Sequence, residues 1–363
     1  MSTRFILTLL TIIVIFIGAA VAIFLAKGYT VSPKEGGIVG TGILSITSTP
    51  DAASVYIDGH LTTATNATIA SLTPKEYTVR VIKEGFIPWE KKVSIKEGLV
   101  TDVKITLFPA IPSIYPLTFT GVKNVAVSPD SSKLAYIVPK GTKAGVWVWT
   151  MTEGRPIGFA RGAQPHQIAS SGSIDYSEAS LRWSADSKQV LATVGNNNYL
   201  LVDDGLNSNP RDITPILSAT LKDWDADLKE KDVVRAQAIK DLTRRKEATA
   251  SASIKWSSDE TKLLYKKESS KPFIVYDLET NEQHQIPPAL NYLWLPDAKH
   301  IILVDKDKIS IVEYDGANSA IVYAGNFDET SVFAWPDSSR LVIISSFPIP
   351  TASEPNFYGV NLK

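Results

Sequence analysis

The sequence contains no cysteine, and this single absence removes several kinds of chemistry. Without a thiol the chain can form no disulfide, no thiolate metal site and no cysteine nucleophile, and it cannot carry a lipid on an N-terminal cysteine. An excess of one charge is also lacking, because the 37 Lys and Arg residues are balanced in number by 38 Asp and Glu residues. The resulting net charge of -1 gives no electrostatic basis for binding nucleic acid.

Sequence motifs of catalysis and of metal binding are missing as well. The four histidines are scattered and form no His-x-x-x-His pair; they are His60, His166, His284 and His300. The sequence has no Gly-x-Ser-x-Gly elbow and no phosphate-binding loop. We therefore predict no catalytic residue, no metal ligand and no cofactor, and we expect that the protein is not an enzyme. Carboxylates that are distant in sequence could still meet in a glycan-cleaving site, so this alternative stays open.

One acidic run is similar to the start of a calcium-binding loop, because Asp223, Asp225 and Asp227 alternate along the chain. The glycine that such a loop needs at its sixth position is Leu228 here, and the twelfth position holds Val234 instead of Glu. The pattern therefore favours a solvated stretch of helix over a calcium site.

Residues 5–26 form a run of 22 residues without a charge. At 1.5 Å per residue such a helix is about 33 Å long, enough to cross the hydrocarbon core of a bilayer. A cleaved signal peptide is the competing interpretation, since residues 20–22 read Ala-Val-Ala, but the apolar run continues to residue 26. We expect residues 1–26 to be a short tail and a transmembrane anchor, followed by a Gly-rich linker at 27–40. The protein would then be a single-pass cell-membrane protein with most of its chain outside the cytoplasm.

Residues 41–110 alternate between apolar and polar side chains with the period of β-strands, and turn residues such as Pro50 and Asp58-Gly59 separate the strands. The segments GILSITSTPDAASVYIDG (42–59) and YTVRVIKEGFIPWEKKVSI (77–95) resemble the PEGA domain. The chain departs from the family pattern at residues 51–53 and 74–76. The resemblance implies a small β-sandwich of the kind found on bacterial surface proteins, with no active site of its own. Asp58 is therefore predicted to be a turn residue.

The remaining residues, 111–363, repeat one pattern five times: an apolar strand, a turn with an Asp, and a second apolar strand. The five turn aspartates are Asp130, Asp186, Asp259, Asp297 and Asp337. A further strand follows the second one in each copy, at 145–151, 198–204, 271–278, 308–316 and 356–363. Repeats of about 40 residues that each hold several strands are typical of propeller blades.

The turns at Ser128-Pro129-Asp130 and Trp335-Pro336-Asp337 resemble those of the TolB-type, WD-like propeller repeat. We predict an all-β chain with a propeller of five to six blades. A sixth blade would lie within 150–180 or 203–250. The strand near Tyr115 would complete the last blade and close the ring.

Residues 218–250 interrupt the repeats with a highly charged stretch in which Leu221, Trp224 and Leu228 fall at helical spacing. We predict one or two inserted helices here. They would be either a structural lid on the propeller or an element that binds a partner.

Three tryptophans are the predicted binding residues. Trp147 and Trp149 alternate with Val146 and Val148, so this strand could present an aromatic face to a glycan. Core packing of at least one of the pair is the simpler alternative. Trp224, in the helical insertion, is the third candidate.

Together these features predict an extracytoplasmic binding or scaffolding protein that is anchored in the membrane and uses a propeller face to bind a protein or glycan, with no nucleic-acid partner. The alternatives are a surface glycan-active enzyme and a purely structural component of the cell envelope.

Overall fold

A computed structural model describes residues 3–26, 29–32, 37–151, 165–251, 254–267, 272–347 and 354–363. The chain divides into two compact units. The first contains residues 1–110 together with Lys363, and the second contains residues 111–362.

The first unit begins with helix α1 (Thr3–Ala26), followed by a hairpin of β1 (Tyr29–Ser32) and β2 (Gly37–Gly40). Within the described residues, none of the helices combines the length and the apolar character that a membrane span requires. This finding overturns the prediction of a transmembrane helix at residues 5–26. The predicted linker at 27–40 contains the β1–β2 hairpin, and its residues 27–28 and 33–36 lie outside the described residues.

Seven further strands of the first unit form two sheets. They are β3 (Gly42–Thr49), β4 (Ser54–Ile57), β5 (His60–Ala64), β6 (Ala67–Leu72), β7 (Glu76–Ile82), β8 (Trp89–Ser94) and β9 (Val100–Thr106). One sheet has the order β6-β3-β9, in which β3 and β9 run parallel, and the other has the order β5-β4-β7-β8.

The alternating side chains of these strands bury one face of each sheet in a common core. Leu44 and Ile46 of β3 are fully buried, as are Val79 and Val81 of β7, and all four belong to one hydrophobic cluster. Burying each such side chain contributes about 1.5–3 kcal/mol, which is why a domain this small holds two sheets together. The predicted β-sandwich is present.

The turn between β4 and β5 is built by Asp58 and Gly59, both of which have positive φ angles, 48° and 83°. The Asp58 carboxylate accepts hydrogen bonds from the Thr78 backbone N–H and from Lys75 Nζ, each at 2.9 Å. The prediction that Asp58 is a turn residue is therefore confirmed.

The second unit contains five antiparallel sheets of four strands each. Sheet 1 contains β11 (Lys123–Val127), β12 (Lys133–Val138), β13 (Gly145–Thr150) and β14 (His166–Ser170). Sheet 2 contains β15 (Ser180–Trp183), β16 (Gln189–Val194), β17 (Asn197–Val202) and β18 (Arg211–Asp212). Sheet 3 contains β19 (Lys255–Trp256), β20 (Lys262–Lys266), β21 (Phe273–Asp277) and β22 (Gln283–Gln285).

Sheet 4 contains β23 (Asn291–Trp294), β24 (His300–Val304), β25 (Lys308–Glu313) and β26 (Ala320–Ala324). Sheet 5 combines β10 (Ile114–Pro116) with β27 (Val332–Ala334), β28 (Arg340–Ser345) and β29 (Asn356–Asn361). Tyr115 of β10 lies opposite Gly359 of β29, so the predicted pairing of this strand with the last sheet is confirmed.

The predicted turns join the first two long strands of each sheet. In sheet 2, for example, Asp186 accepts hydrogen bonds from Ser184 Oγ at 2.6 Å and from the Lys188 N–H at 3.1 Å. The residue after each turn Asp has a φ of 56–60°, in the left-handed region that glycine adopts most easily. These residues are Ser131, Ser187, Glu260, Ala298 and Ser338. In all five turns a residue other than glycine therefore adopts this conformation.

The five sheets remain separate. In the part of the chain that the structure describes, strand pairing joins none of them to another, and there is no closed propeller. The predicted fold class, a closed propeller of five to six blades behind a transmembrane helix, is therefore wrong. Strand and turn residues specify a sheet through pairing between neighbours in sequence, whereas a closed ring depends on packing between sheets, which the repeat pattern does not encode.

Contacts between sheets are made by side chains. One core cluster joins sheets 5 and 1, where the rings of Tyr136 and Phe357 lie 5.1 Å apart, and other clusters join sheets 1 and 2 and sheets 3 and 4. A further blade in 203–250 is excluded by helices in this segment. Residues 152–164, where part of a sixth blade was also considered, lie outside the described residues.

The predicted helical insertion is confirmed between sheets 2 and 3. It contains a short 3-10 turn (Thr214–Ile216), helix α2 (Leu217–Ala236) and helix α3 (Leu242–Ala250). Asp241 caps α3 by accepting hydrogen bonds from the backbone N–H groups of Thr243 and Arg244. Helix α2 packs on sheet 2, and α3 packs on sheet 3.

Candidate functional site

The predicted binding tryptophans are largely occupied by packing. Trp149 is 6% exposed, and its ring lies 5.6 Å from that of Trp335, so the core-packing alternative holds for this residue. Trp147 is half-buried and donates its indole N–H to the Lys143 carbonyl at 2.8 Å. Trp224 is buried where α2 meets sheet 2. A binding role for these rings stays a prediction, but little of Trp149 or Trp224 is open to a partner.

The histidines and aspartates that were weighed as metal ligands form no common site in the described part of the chain. Among the described residues, no three His, Asp or Glu side chains are grouped to hold a metal ion. His300 Nδ1 lies 2.6 Å from Asp297 within the turn of sheet 4. Asp225 on α2 pairs with Arg182 on sheet 2 at 2.5 Å. The acidic run 223–227 is part of α2, so the prediction of a helix for this run is confirmed.

A groove lies where α2 passes the turns of sheets 2 and 3, and it has a cavity volume of about 580 Å³. We call it the α2 groove. Its lining residues come from one helix and two repeat turns: Ala185 and Asp186 of sheet 2, Glu260 of sheet 3, and Asp227, Glu230, Lys231, Val234 and Arg235 of α2.

Helix α2 is held at the groove by an apolar contact with sheet 2. Trp224 is buried against Leu191 and Ile213, and Leu221 and Leu228 pack at the edge of the same cluster. These side chains recur every three to four residues, so they lie on one face of the helix. The acidic side chains between these apolar residues, Asp223, Asp225 and Asp227, are exposed. Of the three, Asp227 lines the groove.

Two basic side chains attach the helix to both turns. Lys231 Nζ donates to the Ala185 carbonyl at 2.9 Å, and Arg235 Nε donates to the Glu260 carboxylate at 2.8 Å. The turn of sheet 2 and the turn of sheet 3 are therefore linked through the helix, and both cations of the groove already have acceptors.

The electrostatic balance of the groove is negative. It contains four carboxylates and two cations, a formal charge of -2. The pKa of Asp186 is lowered by the hydrogen bond from Ser184 Oγ and by the Lys188 backbone N–H, although slight burial acts against this, so Asp186 is ionised at neutral pH. Within the described part of the chain, Asp227 and Glu230 have no cationic or hydrogen-bonding partner. Val234, 60% exposed, adds an apolar surface beside them.

A second groove of about 500 Å³ lies between the start of sheet 1 and the loop before sheet 5. Its charged groups are paired inside the chain. Lys123 bonds to Glu178 at 2.8 Å, and Asp328 accepts hydrogen bonds from Thr330 Oγ1 at 2.7 Å and Ser331 Oγ at 2.8 Å. This groove therefore has less unused bonding capacity than the α2 groove.

Parts of the α2 groove are recognisable in the sequence, but not as one site. Asp186 is predicted as a turn residue, and Asp227 as part of a solvated helix rather than a calcium ligand. The available signal was the set of acidic positions on α2 that lie off the Leu221–Trp224–Leu228 face. Placing them beside Glu260 requires knowing where the helix packs.

Comparison with known families gives one match. Residues 41–111 match the model of the PEGA domain, which confirms the resemblance seen in the sequence. No curated protein matches the chain.

Several solved structures are similar to parts of the chain. TolB from Acinetobacter baumannii has 13% identity and a TM-score of 0.25, with 79% of this chain and 60% of the TolB chain covered. A luciferin-regenerating enzyme has 10% identity and a TM-score of 0.32 over 69% of this chain and 95% of its own. The AfRom2 CNH domain has 10% identity and a TM-score of 0.29 over 69% of this chain and 100% of its own. With TM-scores this low, these likenesses carry no argument, and the family match covers only the PEGA domain at residues 41–111.

Proposed function

We propose that this chain is a binding or scaffolding protein of the periplasm or cell surface, and that a protein partner docks in the α2 groove. The PEGA match supports the location, since the domain is associated with bacterial surface proteins. The observation that carries the docking site is the pair of unpartnered carboxylates, Asp227 and Glu230, beside the exposed Val234.

The composition of the groove suits binding. Exposed carboxylates next to an apolar side chain can form ion pairs and an apolar contact with an incoming surface. Lys231 and Arg235 hold the helix against the two turns. The docking side chains therefore belong to a helix that is already fixed in place, so that little conformational entropy is lost when a partner binds. The proposed function includes no catalytic step.

Site-specific crosslinking tests this proposal. A photoreactive amino acid replaces Val234 in the full chain and, as a control, Leu290, which is similarly exposed at 66% but lies outside the groove. We expect one protein to be crosslinked in cells from position 234 and not from position 290. The identified protein should then form the same crosslink when both proteins are purified. Equal crosslinking from both positions, or none from position 234, would contradict the proposal.

A further inference from the structure

We propose that the segment docking in the α2 groove carries Lys or Arg side chains beside one apolar side chain; this inference rests on the proposed function and specifies its partner. The chemistry follows from the groove's charge. Both cations of the groove are engaged within the chain, Lys231 by the Ala185 carbonyl and Arg235 by Glu260. The charges left to meet a partner are negative.

The helix sets the order in which a partner meets these groups. Asp227 and Glu230 are three residues apart, and Val234 follows Glu230 by four, so all three project from one face of α2. At 1.5 Å per residue they extend over about 10 Å along the helix axis. An extended segment presents one side chain to a given face about every 6.7 Å. About five of its residues therefore present three side chains to the row, two basic ones at one end and an apolar one at the other.

The same charges argue against other occupants. A phosphate-bearing ligand would face a formal charge of -2 with no uncommitted cation in the groove. A segment rich in Asp or Glu would be repelled in the same way. The basic segment is the occupant whose charge complements the groove.

A peptide array tests the partner class with the full-length protein. Immobilised short peptides place basic, acidic or neutral polar residues at equal frequency around one Leu, and binding of the labelled chain is measured. We expect the best-bound peptides to be enriched in Lys and Arg. The best of them is then titrated in solution by fluorescence anisotropy, and its binding should weaken as salt is raised, because exposed charges are screened.

Charge-reversal variants locate the binding. Asp227→Lys should raise the dissociation constant of the basic peptide about 2–5-fold, the range of one exposed ion pair, and adding Glu230→Lys should raise it further. Val234→Ser should weaken binding without changing its salt dependence. The matched control is Asp204→Lys, which makes the same charge change at an exposed position in the turn after β17, outside the groove, and it should leave the dissociation constant unchanged. Circular dichroism confirms that each variant is folded.

The outcomes separate this inference from the proposed function. The proposal of a basic segment would be overturned by a preference for acidic peptides, by the absence of any charge preference, or by the absence of binding. Equal weakening by Asp204→Lys would overturn it as well. If position 234 nevertheless crosslinks to a partner, docking in the groove stands and only the partner's chemistry is wrong. If position 234 crosslinks to nothing, the docking site itself is lost.

Discussion

Two junctions between neighbouring sheets of the second unit are built differently. Sheets 1 and 2 touch directly: Trp183 donates its indole N–H to the Ala126 carbonyl at 2.9 Å, and Lys133 pairs with Asp203 at 2.6 Å. At the junction of sheets 2 and 3 the indole N–H of the equivalent tryptophan, Trp256, is buried and has no acceptor among the residues that the structure describes. Helix α2 bridges the turns there instead.

At the junction of sheets 2 and 3, an inserted helix takes the place of a direct contact between sheets. Sheets 3 and 4 repeat the direct arrangement, since Trp294 donates to the Lys255 carbonyl at 2.8 Å. At the helix-bridged junction the turns of two sheets and one face of α2 line a common groove. The tryptophan hydrogen bond that joins sheets 1 and 2, and again sheets 3 and 4, is thus replaced by α2 at the junction where we propose that a partner binds.

The largest expected effect is at the direct junction. Trp183→Ala removes a buried ring from the core shared by sheets 1 and 2, together with its hydrogen bond. We expect a loss of about 3–5 kcal/mol in the free energy of unfolding, measured by urea denaturation. Trp256→Ala is the matched comparison and should cost less, because this ring is half-buried and its N–H has no acceptor in the described part of the chain. A larger loss for Trp256→Ala would mean that the two junctions do not differ in this way.

Much of each junction's local structure is predictable from the sequence, and its function is not. Turn aspartates such as Asp130 and Asp186 identified the hairpins, because pairing between adjacent strands is a short-range property. The spacing of Leu221, Trp224 and Leu228 likewise identified α2. The closed ring and the aromatic binding face were predicted from repeats and residue type alone. Among the described residues the five sheets form no closed ring. A binding role for the tryptophans stays a prediction, with Trp149 and Trp224 buried.

A milder change isolates the hydrogen bond from the ring. Trp183→Phe keeps most of the apolar surface but leaves the Ala126 carbonyl without its donor, which should cost about 1–3 kcal/mol. Trp256→Phe removes a buried donor that has no acceptor, so it should be neutral or stabilising. Urea denaturation of both variants measures the contrast, and equal destabilisation would show that Trp256 also has an acceptor in solution.

The ion pairs of the two junctions offer a third comparison. Lys133 and Asp203 are 21% and 13% exposed, whereas Arg235 and Glu260 are 37% and 53% exposed. Asp203→Asn should therefore destabilise the chain by about 1–2 kcal/mol, and Glu260→Gln by less than about 1 kcal/mol, because water screens the second pair. Thermal unfolding at low and high salt provides the measurement. Salt should reduce the effect of Glu260→Gln more than that of Asp203→Asn.

The smallest effect concerns pH and the turn aspartates of sheets 1 and 2. Hydrogen bonds lower the pKa of both: at Asp130 burial opposes the Ser128 and Ser132 bonds but is outweighed, and at Asp186 the Ser184 bond is the largest cause. A carboxyl whose pKa is lower in the folded chain contributes stability above its unfolded pKa of 3.8, and this contribution is lost as pH falls through the folded value.

Replacing each Asp by Asn should therefore flatten the acid side of the stability curve below about pH 4, leaving the slope near pH 7 unchanged. Asp130 accepts bonds from Ser128 Oγ, Ser132 Oγ and the Ser132 N–H, whereas Asp186 accepts from Ser184 Oγ and the Lys188 N–H. Flattening is expected for both variants, at the direct junction and at the groove alike, in urea unfolding measured from pH 2 to 7. An unchanged acid side for either variant would show that the hydrogen bonds of that turn do not favour the ionised carboxylate.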